Sequence, residues 1–176
     1  SPWKLDDAYA LASVFSEAPL DIFRCDKATG KFAAAQFINP ELGQIAPGLS
    51  RGQRQQELAK LVTSPQNARL RRTIVNRLWA RFFGRGLIEP VDEIDNPAWN
   101  EDVLEWLASD LQSHGDDLKH TMEQMLTSRA YQMRSVDARP EENEQYVFRG
   151  PLVKRLSAEQ FVDTIWMTTG TAPAKA

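Results

Sequence analysis

The chain has 176 residues, with 42% apolar and 26% charged residues and a formal net charge of -3. Those values suit a soluble globular protein with a core of its own, and the net charge argues against nucleic-acid binding by the chain as a whole. One cysteine, Cys25, excludes an internal disulfide, a CxxCH haem attachment and a cysteine-rich zinc site, and no apolar run is long enough to span a bilayer.

Residues 1–24 contain a short helix, capped by Asp6 or Asp7, with Ala8, Leu11, Ala12 and Phe15 on one face. Pro19 closes it. Residues 25–52 carry weak periodicity and many glycines and prolines. Lys31–Ile38 reads as a brief strand or a single helical turn, and Asn39–Gly52 as an irregular arm that Leu42, Ile45 and Leu49 can pin to a core.

Gln53–Val62 predicts a helix, broken at Ser64-Pro65 because the residue before proline disfavours helical angles. The next helix, about Ala68 to Phe83, has the strongest pattern. Leu70, Ile74, Val75, Leu78, Trp79, Phe82 and Phe83 form a broad apolar stripe of period 3.6. Gly84 and Gly86 mark its end. Glu89–Asn100 is a loop, and Asn100 caps a helix over Glu101–Ser113. Val103, Leu104, Leu107 and Leu111 form the buried face of that helix, and Trp106 broadens it. Gly115 ends it. Asp116 or Asp117 caps Leu118–Ser128, lined by Leu118, Met122, Met125 and Leu126, the methionines being flexible core fillers. Asp137–Gln145 reads as an exposed loop. Ser157 and Gln160 fit a capping box for a final helix with Phe161, Ile165 and Trp166 on its apolar side. The expected fold is all-α: about five packed helices behind an irregular N-terminal arm. The segments are 1–52 (helix and arm), 53–170 (helical domain) and 171–176 (frayed tail). The absent starting methionine suggests a processed product or a piece of something longer.

Charge is distributed unevenly. Ser64–Ile88 holds six arginines and no acid, whereas Glu89–Asp117 holds ten acids and neither lysine nor arginine. Mutual neutralisation is the favoured reading. Arg72, Arg77, Arg81 and Arg85 would form a structural or docking charge network with Asp92, Glu93 and Asp95. A polyanion-binding stripe is the competing reading, opposed by the neighbouring acids. Trp79, Phe83, Trp99 and Trp106 are candidates for an aromatic core or patch.

No metal ligand, cofactor site or catalytic residue is assigned. Asp92, Glu93 and Asp95 lack the spacing of a twelve-residue calcium loop. His114 and His120, the two histidines, bracket a Gly115-Asp116-Asp117 turn. Zinc there would need a third ligand, Asp116 or Asp117; a surface turn with both acids used as caps is the simpler reading. Cys25 has no histidine at a suggestive spacing, and the serines lack a GxSxG context.

The stretch Asn76–Leu87 (NRLWARFFGRGL) resembles the signature of a domain of unknown function, number fifteen-fifty-three, frequent in Planctomycetes and Verrucomicrobia. The likeness continues through Leu104–Ala108, Ser128–Tyr131, Pro140–Asn143 and Arg155–Glu159. The segment Asp92–Asn96 departs from the aspartate-phenylalanine-glycine pattern common in that family. The resemblance implies the C-terminal part of a large exported, periplasmic or otherwise secreted protein. It also implies partner domains in the same parent, a cytochrome-c-like domain among them, and an association with polysaccharide handling. The expected role is a non-catalytic structural or protein-interaction module, without nucleic-acid binding or membrane insertion. The alternative is a carbohydrate-binding or carbohydrate-active domain using the acidic loop, with Trp99 facing solvent beside Asp95 or Glu101 and a glycan as partner.

Overall fold

The computed structural model describes residues 4–137 and 146–172. The charged loop expected over Asp137–Gln145 therefore lies, beyond its first residue, outside the described residues, as do the family-like Pro140–Asn143 stretch and most of the tail. The chain is mostly helical. In order it contains α1 (Leu5–Ala12), β1 (Leu20–Arg24), β2 (Lys27–Ala33), a 3-10 turn (Pro40–Leu42), α2 (Arg51–Val62), α3 (Ala68–Phe83), α4 (Glu101–Ser113), α5 (Leu118–Thr127) and α6 (Ala158–Thr169). Five helices, α2–α6, thus follow an irregular N-terminal region. Two compact units divide the chain, residues 1–72 and 73–176, with the division inside α3.

In the first unit, β1 and β2 pair as an antiparallel hairpin, where the sequence pattern indicates only a brief strand or a single helical turn over Lys31–Ile38. Cys25 and Asp26 form its two-residue turn, both at positive φ (48° and 62°). That conformation suits the right-handed strand twist but is normally taken by Asn-Gly or Asp-Gly pairs, so this turn carries a weak signal. Lys4, not Asp6 or Asp7, is the N-cap of α1; Asp7 accepts from the Lys4 backbone N–H at 2.8 Å. Phe15 is exposed, whereas Val14 is buried. The arm is pinned through Ile45, which is buried, as is Phe37. Ser50 begins α2 with a capping box, its Oγ accepting from Gln53 N while Gln53 Oε1 accepts from Ser50 N. Past α2, Asn67 Nδ2 donates to Val62 O at 2.8 Å and Arg71 Nη1 to Ser64 O at 3.1 Å, which ties down the connection before α3.

In the second unit, the core consists of Val75, Trp79, Phe83, Leu87, Ile88, Ile94, Leu104, Leu107, Leu111 and Met125. These come from α3, the loop after it, α4 and α5. Three corrections to the helix faces follow from their geometry. Trp106 is 57% exposed, because at 100° per residue it stands well off the Leu104–Leu107–Leu111 stripe. On α5 the buried side chains are Thr121 and Met125, while Leu118 and Leu126 face outward. On α6 no residue is buried among the described residues, so its apolar side is not part of the core.

Candidate functional site

The loop after α3 is held by a side chain inside the helix. Asn76 is fully buried. Its Oδ1 accepts from Ile88 N at 2.9 Å, and its Nδ2 donates to Ile88 O at 3.1 Å and to Val91 O at 3.0 Å. A buried amide with three such bonds supplies what the loop backbone would otherwise lack. The same turn continues the pattern. Gly86 N donates to Glu89 Oε1 at 2.5 Å, Trp99 Nε1 donates to Gly86 O at 3.1 Å, and Trp99 N donates to Leu87 O at 2.9 Å. The Glu89–Pro90 peptide is cis.

The carbonyls at the end of α3 are met by one segment. Leu152 N donates to Phe83 O at 2.8 Å, and Lys154 Nζ donates to Phe82 O at 2.6 Å and to Arg81 O. A lysine at a helix C-terminus also complements the helix dipole. Burial, followed by the nearby Arg81 charge, holds the Lys154 amine below its ordinary 10.5. Gly84 stands at φ 85° with Leu152 Cβ 2.8 Å from where its own Cβ would be. Glycine is therefore required there by conformation and by space together.

Within the expected charge network, Arg77 and Asp92 pair directly. Arg77 Nη2 and Nε donate to Asp92 Oδ1 at 2.6 and 3.1 Å, both groups well exposed. Such a pair contributes about 0–1 kcal/mol. Arg85 lies 4.4 Å from the centre of the Tyr146 ring. Arg81 is exposed, and Glu93 accepts from Asn96 Nδ2 at 3.2 Å. Arg72 is half-buried and Asp95 exposed, each with polar or electrostatic interactions of its own. Trp79 stacks on Phe83 at 3.8 Å, and Trp99 stacks on Phe148 at 5.8 Å with planes 4° apart. Trp99 also meets Tyr146 edge-on. Both faces of its role are thus structural: ring against rings, indole N–H on Gly86 O.

A second cluster joins the two histidines. Asp110 sits in the last turn of α4, His114 is the C-cap of that helix, and His120 lies in the first turn of α5. Gly115 and Asp116, at φ 65° and 62°, reverse the chain between them. Asp110 Oδ1 is 3.3 Å from His114 Nδ1, Asp110 Oδ2 is 3.1 Å from His120 Nε2, and the two rings stack at 3.8 Å. The third group is Asp110, not Asp116 or Asp117. Asp117 is used as the α5 cap, its Oδ1 accepting from Lys119 N at 2.9 Å and His120 N at 3.2 Å. The signal available in the sequence was the i, i+4 spacing of Asp110 and His114 on one helix face.

The first unit contains a cavity of about 700 Å³. It is lined largely by Ala33–Gln36 and Gln44–Leu49, with Arg54 at its wall. The Arg54 guanidinium is committed to Leu49 O and Ser16 O, which makes it a brace for the arm.

These features define a helical unit in which one amphipathic helix, through Asn76, Trp79, Phe83 and Gly84, organises the loop and chain segments around it. The chain belongs to the family described as a protein of unknown function (DUF1553), whose model matches residues 54–176. No curated protein and no solved structure matches the chain. Among the described residues, no helix is long and apolar enough to cross a membrane.

Proposed function

We propose that this chain is a non-catalytic structural or protein-interaction module of a larger exported protein, with α6 as its docking element. The observation that supports this reading is α6 itself. It is well delimited, by the Ser157–Gln160 capping box and by Gly170 in the left-handed conformation. Yet Phe161 is 56% and Met167 86% exposed, with Val162 and Ile165 also open to solvent. Twelve residues are too few for a helix to be stable alone in water; helices of this length draw their stability from covering an apolar face. The natural cover is a neighbouring domain of the same parent. The setting comes from the family resemblance: an exported protein, a cytochrome-c-like neighbour and an association with polysaccharide handling. The packed position of Trp99 weighs toward a structural role and away from a sugar platform.

Hydrogen exchange tests this reading. In the intact parent protein, α6 amides are expected to exchange at least about tenfold more slowly than in the 176-residue chain, equivalent to about 1.4 kcal/mol of added protection. Equal exchange in the two would refute the docking role. Protection that appears in the isolated chain only at high concentration would assign the face to a second copy instead, and would equally count against a parent domain as its occupant.

A further inference from the structure

We propose that Asp110, His114 and His120 form a binding site for a borderline divalent cation, zinc in the first instance, which clips the end of α4 to the start of α5. The inference is independent of the docking role of α6.

Proximity is the first argument. One ligand atom from each of the three side chains lies within 4.8 Å of the others. Two ligands held about 2.0–2.1 Å from a tetrahedral zinc stand about 3.3 Å apart. The observed separations, 3.3 Å for Asp110 Oδ1 to His114 Nδ1 and 3.1 Å for Asp110 Oδ2 to His120 Nε2, are of that size. An ion can therefore be accommodated by small side-chain rotations, without moving either helix.

Unsatisfied polar atoms are the second argument. Asp110 Oδ2 and His120 Nε2 are shut off from solvent, and neither has a hydrogen-bond partner among the described residues. They face each other at 3.1 Å without the alignment a hydrogen bond requires. Buried polar atoms left in this way carry a cost, and an ion is one of the few things that satisfies a carboxylate oxygen and an imidazole nitrogen at once.

The surroundings fit as well. His114 Nδ1 lies 2.9 Å from the Asp110 carbonyl oxygen and 3.2 Å from Ser113 Oγ. Ligation through Nδ1, the nitrogen 3.3 Å from Asp110 Oδ1, places the ring proton on Nε2 and turns Nδ1 from that carbonyl toward the ion. His120 is set by the α5 cap, through its own backbone N–H on Asp117. The donor set of two imidazoles and one carboxylate selects zinc, cobalt, nickel or copper over calcium and magnesium, which favour oxygen throughout. Three protein ligands leave the fourth zinc position to water or to a group from a partner.

The chain has two histidines, so ring correlations in a 15N-edited spectrum report on this site alone. The metal-free 176-residue chain is titrated with zinc chloride. Both rings should shift together and saturate at one equivalent, and cobalt added in place of zinc should give the absorption bands of a low-symmetry, four-coordinate ion. Asp110→Asn should weaken zinc binding at least about tenfold, as should His120→Gln, with unchanged circular dichroism in at least one of the two. Asp92→Asn, at an exposed ion pair elsewhere, should bind as the unmodified chain does. The proposal is overturned if zinc in excess shifts neither ring or only one, or if the folded Asp110 or His120 variant binds zinc as tightly as the unmodified chain.

Discussion

Asn76 and Ile88 exchange two hydrogen bonds, side chain to backbone: Ile88 N donates to Oδ1 at 2.9 Å, and Nδ2 donates to Ile88 O at 3.1 Å. One buried residue of α3 thereby does for a single loop residue what a neighbouring strand does in a sheet. Asn76 is the first residue of the family-like stretch Asn76–Leu87, and the trailing glycine of that stretch, Gly86, lies in the turn that Asn76 fixes. The stretch is accordingly a fold determinant. Its polar member holds the loop, its aromatics fill the core, and its glycines allow close approach.

Asn76→Ala should destabilise the protein by about 2–4 kcal/mol, since it strands the Ile88 N–H and two loop carbonyls in a buried setting. Urea unfolding measures this. A loss below about 0.5 kcal/mol, the range of ordinary surface substitutions, would show that water replaces the amide without cost and that the clamp is dispensable.

Trp79→Ala should cost about 3–5 kcal/mol. Trp79 is buried, stacks on Phe83 at 3.8 Å and touches Trp99 and Phe148 at centroid distances of 6.4 and 6.2 Å. Truncation opens a cavity at the point where four rings meet, and rigid aromatic neighbours collapse poorly into such a space. Thermal or denaturant unfolding gives the value, and a loss under about 1 kcal/mol would contradict the core assignment.

Legibility in the sequence followed local signal strength. The bounds of α3 and α4 are readable because period, cap and stop agree: Asn100 does accept from Val103 N at 3.1 Å, and Gly84 does take positive φ. The hairpin was obscured because Cys25-Asp26 is an unusual turn pair and β2 exposes nearly every residue, so no apolar alternation marks it. The role of Asn76 was hidden because an asparagine in a helix is commonly a solvent-facing residue, and only the path of the loop shows what it bonds. Asp110 is concealed in the sequence for a related reason. Its i, i+4 spacing from His114 is local, but the return of His120 depends on left-handed angles at two consecutive residues, of which only Gly115 announces itself.

The two glycines of α2 and the loop offer a paired test of backbone space. An added Cβ at Gly86 would stand 2.4 Å from Ile88 O and 3.0 Å from Asn76 Oδ1. Neither atom can retreat without breaking the clamp, so Gly86→Ala should cost about 1–3 kcal/mol. Gly52, in the first turn of α2, has nothing within 4 Å of an added Cβ. Gly52→Ala should be neutral or stabilising by up to about 1 kcal/mol, through a less flexible unfolded chain. Equal effects at the two sites, read by urea unfolding, would disprove the steric account.

Tyr146 predicts a specific response to alkali. Burial raises its phenol above the ordinary 10.0; the Arg85 charge lowers it by less, and Glu89 adds to the rise. The folded state therefore holds this proton more tightly than the unfolded state. The stabilisation is fully present below pH 10.0 and is lost as pH climbs through the raised folded value, because the unfolded chain then releases the proton first. Of the three tyrosines, one should ionise late in an ultraviolet titration, and Tyr146→Phe should remove that late step. The same variant should fall less steeply in stability than the unmodified chain above pH 10.0. Arg85→Met should push the late step later still, since it removes the cation lying 4.4 Å from the ring. An unmodified 176-residue chain whose tyrosines all titrate together, or an Arg85→Met step that moves to lower pH, would contradict both the burial of the phenol and the sign of the arginine's influence.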